Sequence, residues 1–232
     1  MKYIDMVYND SAMCEMLKFV EAKLKPVDDC TKSGKRFEFR SRFGHTKRVL
    51  EWALRINEIE KADAGILTVA AIFHDVGYCV RGEEHAGLSE EIFREYITNA
   101  ATEADCVLHG DKRMPLVGDL ALTERIEEIA AVIAGHSDKD HESSLLTKEQ
   151  MILMDADLMD ENGAMRVLWD CFNTTEMVSF NYETAYKEIE KSYESLAGGA
   201  HLIHTGEGKR FYHEMCDYVE AFVRGLRLEL GL

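Results

Sequence analysis

Proline is nearly absent from the chain, occurring in 232 residues only at Pro26 and Pro115. Beside abundant Ala, Leu, Glu, Met and Lys, that scarcity leaves few places where a helix must stop. Positive charge is also in deficit, with 27 Lys and Arg against 43 Asp and Glu, a formal net charge of -16. Such a molecule repels polyanions, which argues against non-specific binding to long nucleic acid or to an anionic membrane. The six cysteines form no C-x-x-C pair, and a chain that can bury a sizeable core needs no disulfide staples, so they read as reduced thiols. No apolar run approaches the roughly 20 residues of a spanning helix. The opening MKYIDMVYND carries acids where a secretory signal is basic and then apolar. These absences point to an all-α protein of the cytoplasm.

What is present is helical periodicity. Residues 11–24 place Met13, Met16, Leu17, Val20 and Leu24 at helical spacing, and Pro26 is expected to end that helix. From about Arg42, the run HTKRVLEWALRINEIE sets Val49, Trp52, Ala53, Ile56 and Ile59 on one face. Ala64 to Val80 is strongly apolar and predicts a buried helix ending near Gly77. Ser89 to Thr98 predicts a further helix, residues 105–119 a loop, and Thr123 to about His136 a helix with a Glu-rich first turn. A helix is expected from Lys148 to about Leu168, and two more after residue 180, separated by the glycines at 198, 199, 206 and 208. No repeat or linker interrupts the chain, which is read as one unit over 1–232 with 180–232 as terminal helices packed on the core.

Several of these helices put a polar group on the face that periodicity assigns to the core. His45 shares a face with Val49, His74 with Ala70, His136 with Val132 and Asp157 with Leu153. Burial of such groups is costly without partners. Each alone is most simply a hydrogen-bonded core histidine or a capping Asp. As a set they suit one ion, because imidazole and carboxylate are borderline ligands for Mn, Fe, Ni, Co or Zn. On the residues alone a metal and a buried polar network both remain open, as does the choice among Asp155, Asp157 and Asp160.

The spaced His, the His-Asp doublet and the later Asp resemble the HD-domain superfamily of metal-dependent phosphohydrolases. GHTKRVLEWA looks like its first-His helix, AAIFHDVGY like its doublet helix, IAGHS like the histidine helix that follows, and ILMDADLMDENGA like its A-D-x-x-D segment. A T-x-x-G-K turn at Thr205 to Lys209, followed by FYHEMCDYVEAFVRGL, is similar to the small bacterial members related to nucleotide pyrophosphohydrolases. The resemblance covers roughly 40–230. It implies a helical HD bundle with His45, His74, Asp75 and Asp157 holding one divalent transition metal between core helices. It also selects Asp157 over Asp155 and Asp160. Tyr78 stands where some members carry Lys after the doublet, so no role of that Lys transfers. His85 and His109 are the candidates for a second metal or for groups just outside the first.

A divalent ion with open positions polarises a phosphoryl group and acidifies water, so Asp75 is the expected proton acceptor and His136 the group that positions water or protonates a leaving group. Lys35, Arg36, Arg40, Arg42, Lys47 and Arg48 make a basic island beside His45 in an acidic chain. Within it Arg42 and Arg48 are the expected phosphate binders. The implied partner is a small phosphorylated substrate, in the first place a nucleotide. DADLMDENGAMR departs from a calcium loop at Asp160 and Arg166, GEGKR lacks phosphate-loop spacing, and His201 with His204 is read as solvent-facing. Two other classes compete with hydrolysis: a di-iron oxygenase of the same fold, and a non-catalytic nucleotide-binding regulator.

Overall fold

A computed structural model describes residues 2–28, 41–106, 116–117, 120–121, 124–138, 142–160, 162–174 and 181–232, with side chains left out at 101–123 and 173–174. The ten helices of these residues are α1 (Lys2–Asn9), α2 (Ser11–Asp28), α3 (Arg42–Glu60), α4 (Ala64–Phe73), α5 (His85–Cys106), α6 (Ile126–Gly135), α7 (Lys148–Met159), α8 (Gly163–Thr174), α9 (Tyr182–Gly198) and α10 (Gly206–Leu230). A two-residue antiparallel pair, Leu116–Val117 with Leu120–Ala121, is the strand content of the described residues. The architecture is the expected all-α bundle.

The centre is α3 against α4 and α7. In α4 every residue from Ile66 to Phe73 is buried, which is why its sequence shows an apolar block rather than a stripe. Each large apolar side chain so enclosed contributes about 1.5–3 kcal/mol relative to exposure. Asp63 caps α4 through the amides of Gly65 and Ile66, and its other carboxylate oxygen accepts from Arg125 Nη1 at 3.0 Å. Arg125 immediately precedes α6, so this contact ties together the starts of the helices that deliver His74 and His136. α8, α9 and α10 pack on one another, and α10 also reaches α3 and α7. Asp155 anchors α10: its carboxylate takes the amides of His204 and Thr205 and the Thr205 hydroxyl, and Thr205 in turn caps Gly208.

Several boundaries differ from expectation for identifiable reasons. Pro26 does not end α2, which continues to Asp28. The carbonyl that proline leaves unbonded belongs to Ala22, and both residues are exposed, so the lost bond leaves no buried carbonyl without a partner. α4 stops at Phe73, and a separate 3-10 turn over Val76–Cys79 follows the His-Asp doublet. α5 begins at His85 rather than Ser89, and α6 begins at Ile126, leaving Thr123 outside the described residues. The single helix expected over 148–168 is two: α7 ends at Met159, Asp160 turns extended at φ -65° and ψ 140°, and Gly163 restarts the chain at φ 53°. Ile59, placed on the apolar face by periodicity, is 64% exposed.

Candidate metal centre

His45 stands in the first turn of α3, a turn fixed twice over. Ser41 accepts from the Gly44 amide, and the Asp28 carboxylate accepts from the Arg42 and Phe43 amides at 2.5 and 3.3 Å. His74 and Asp75 follow the last residue of α4, where the chain leaves the helix and Asp75 adopts φ -109° and ψ 5°. The doublet therefore fans its two side chains rather than stacking them along one helix. His136 caps the end of α6, and His85 opens α5. His85 is brought in by Gly77, where an added Cβ would lie 2.1 Å from the His85 carbonyl oxygen.

In three of these four histidines Nδ1 lies against the carbonyl three residues back: His74 on Ala71 at 2.8 Å, His85 on Gly82 at 2.9 Å and His136 on Ile133 at 2.6 Å. A carbonyl only accepts, so each Nδ1 carries the proton and each Nε2 presents a lone pair. His45 uses a carboxylate for the same purpose, its Nδ1 donating to Asp160 Oδ2 at 2.7 Å. The four Nε2 atoms then converge. Those of His45 and His74 are 3.3 Å apart, and those of His85 and His136 are 3.2 Å apart. His45 Nε2 is also 3.1 Å from Asp157 Oδ1 and 3.3 Å from Asp75 Oδ2. Asp75 Oδ1 is 3.5 Å from Nε2 of both His85 and His136.

Burial places these groups under strong electrostatic demand. Burial is the largest influence on His74, which it pushes down to about 4, leaving a neutral imidazole at physiological pH. Burial also disfavours charge on His45, but the hydrogen bonds it donates to Asp157, Asp160 and Asp75 outweigh it and raise its pKa well above the usual value. For Asp75, burial is opposed by His74, His136 and His45, which together hold the carboxyl well below the usual range.

The donor set fits a divalent cation. His85 and His136 face each other through Nε2 at 3.2 Å with both Nδ1 atoms set on carbonyls, a contact that a cation would relieve, and at His45–His74, 3.3 Å apart, a cation would take the place of the proton that His45 holds. Tautomers fixed by backbone carbonyls and a carboxylate are the arrangement that surrounds metal-ligating histidines. Two overlapping groups of candidate ligands result, His45–His74–Asp157 and His74–Asp75–His136, with His85 against the second.

Not every expected residue joins the centre. Arg42 does: its Nη1 reaches Asp75 Oδ2 at 3.3 Å and its guanidinium lies 3.6 Å over the Tyr78 ring, with the side chain 39% exposed. Arg48 faces Asp160 instead, with Nε and Nη2 on the two carboxylate oxygens at 2.8 and 3.0 Å. Lys35, Arg36, Arg40 and His109 lie outside the described residues. His204, expected in solvent, is half-buried with Nδ1 on Ser143 Oγ and an enclosed Nε2, while His201 is exposed. Two residues were missed. Asp160 orients His45, and its signal was the second Asp of A-D-x-x-D beside the helix-stopping Asn162-Gly163. Tyr78 packs on both Arg42 and His85, for which the sequence offered only the absence of Lys.

Fold and site together define an all-α protein with a histidine–carboxylate cluster that could hold a metal. The family model for the HD domain matches residues 42–162, more than half of the chain, and the chain belongs to that family of metal-dependent phosphohydrolases. No curated protein matches it. The crystal structure of Bacillus subtilis YpgQ is similar at 17% identity and a TM-score of 0.51, over 93% of this chain and 96% of that one, which supports the fold. Among the described residues, no helix is long and apolar enough to cross a membrane.

Proposed function

We propose that the protein hydrolyses phosphoester or phosphoanhydride bonds of small nucleotides, with His45, His74, Asp75 and Asp157 holding a first divalent transition metal and Asp75, His85 and His136 a second. The observation that carries this reading is the convergence of four Nε2 atoms in two close pairs, His45–His74 and His85–His136, joined by the two oxygens of Asp75. Such cations supply Lewis acidity, polarising phosphorus and lowering the pKa of water toward neutrality.

The chain's own residues supply the rest. Asp75 is held ionised and accepts a proton. Arg42 spends one donor on Asp75 and has others left for a phosphate, which a guanidinium can grip with two parallel bonds. Arg48 acts through Asp160 on His45 rather than on substrate. His136 serves as a ligand in this reading, in place of the proton donor that its sequence position suggested. The acidity of the whole molecule favours a small substrate over a polymer.

The test is hydrolysis of mono-, di- and triphosphate nucleotides and cyclic dinucleotides after reconstitution with Mn, Ni, Fe, Co or Zn, reading phosphate against pyrophosphate release. Turnover is expected with at least one metal and is expected to vanish in His74→Ala and Asp75→Ala with helicity retained. Silence across all metals and substrates overturns the reading, and a regulator that only binds nucleotide gives that result. One observation keeps a second reading in play: the four converging imidazoles also suit two irons and oxygen chemistry. Iron content with oxygen uptake in place of hydrolysis would establish it.

A further inference from the structure

The Tyr78 ring carries a charged or ring group on each face. The Arg42 guanidinium carbon is 3.6 Å from its centroid. The His85 imidazole is stacked on it at 4.4 Å between centroids and 25° between planes. Two groups so close to one ring would overlap if they shared a face, so they lie on opposite sides. The outer two layers also meet the same carboxylate: Arg42 Nη1 contacts Asp75 Oδ2 at 3.3 Å, and His85 Nε2 lies 3.5 Å from Asp75 Oδ1. The chain thus closes a circuit from Asp75 through Arg42, Tyr78 and His85 back to Asp75. Gly82 passes the ring edge so closely that an added Cβ would lie 3.3 Å from Tyr78 Cε1, and its carbonyl oxygen lies 2.9 Å from His85 Nδ1.

We propose that Tyr78 is a positioning residue that holds Arg42 and His85 against the two oxygens of Asp75, so that phosphate capture and cation retention at this end of the site depend on one aromatic ring. This rests on the hydrolase reading for the roles of Arg42 and His85, while the stack itself stands on geometry. An arginine side chain is long and flexible, and a face-on aromatic ring limits where its planar head can sit. His85 lies at the start of α5 with its side chain 17% exposed. Its Nδ1 bond fixes the tautomer, and the ring stack fixes the plane. Both contacts are made by the ring, so the ring alone should suffice.

The experiment compares wild type, Tyr78→Phe and Tyr78→Leu by manganese titration with calorimetry, by the affinity for inorganic phosphate of the manganese-loaded protein, and by KM and kcat on the best substrate. Circular dichroism and retention of the first manganese ion show that each variant is folded. Tyr78→Phe is expected to match wild type. Tyr78→Leu is expected to bind the second manganese roughly 10- to 100-fold more weakly, as loss of a ligand's outer partner does. Its phosphate affinity is expected to fall about tenfold, with KM rising in step. In an Arg42→Leu background, Tyr78→Leu is expected to cost no further phosphate affinity, a non-additivity that a purely structural role would not give. Wild-type manganese and phosphate affinities in Tyr78→Leu overturn the proposal. If wild type binds one manganese only, the second cation of the hydrolase reading fails, and the phosphate arm then judges Tyr78 by itself.

Discussion

Asp160 accepts from His45 Nδ1 on one oxygen and is gripped by Arg48 through both. A buried carboxylate with those partners is ionised, and its pKa is lowered because the His45 and Arg48 bonds outweigh burial. It fixes the plane of the His45 imidazole and enriches the opposite nitrogen in electron density. Replacing it with Asn keeps the shape but removes the charge and sets an amide nitrogen in competition for the same contacts. The D160N variant is therefore expected to fold, and to bind manganese about 10- to 100-fold more weakly in a calorimetric titration. Unchanged affinity would mean that Asp160 serves only to hold Arg48. At this scale the sequence was informative where a polar residue sat on a helix's apolar stripe, as His45, His74 and His136 do. Periodicity was uninformative for Asp160, which only the A-D-x-x-D pattern marks, and for Tyr78, because their roles arise from chain outside regular helix, where side-chain direction has no period to follow.

Each proposed ligand is delivered by a helix end: His45 in a first turn, His74 and His136 just past last residues, His85 at a start, Asp157 near an end. Helix ends are where backbone direction changes, so side chains from neighbouring positions can diverge toward one point. Apolar blocks and stripes made the existence of α2, α3, α4 and α7 legible. The exact ends were not, since they depend on tertiary partners such as Asp63 with Arg125 and Gly77 with His85. Gly77→Ala tests the latter. The new Cβ would meet backbone on one side, the His85 carbonyl at 2.1 Å and the Ser89 nitrogen at 2.8 Å, neither of which can yield by rotating a side chain. Urea unfolding is expected to show a loss of about 1–3 kcal/mol, and the second manganese site is expected to weaken as α5 shifts. The opposite result is expected at Lys61, which ends α3 at φ 59°. A side chain there is strained in the left-handed region, so Lys61→Gly should stabilise the fold by about 1 kcal/mol in the same assay.

Across the molecule, the bundle encloses a cluster in which protonation and the proposed cation would compete. In the absence of a cation, His45 holds a proton tightly among Asp157, Asp160 and Asp75, with its pKa well above 6.5. That raised pKa stabilises the fold in full below pH 6.5, and the contribution is lost as pH climbs through the raised value. His74 behaves in the opposite sense. Its pKa of about 4 means that the neutral form is the folded one, so its contribution is present above pH 6.5 and lost as pH falls toward 4. A cation coordinated by His45 Nε2 takes the place of the His45 proton, whereas His74 has none to give at neutral pH. Manganese binding near pH 7 should therefore release about one proton per first ion, measurable by calorimetry in buffers of different ionisation enthalpy. Apparent affinity should climb about tenfold per pH unit up to the raised His45 value and then level. The rise in melting temperature on adding manganese should grow over the same interval, because the metal-free fold is then losing what the His45 proton had supplied. Binding without proton release at pH 7 would place the first ion away from His45 Nε2 and would remove the centre's most distinctive ligand.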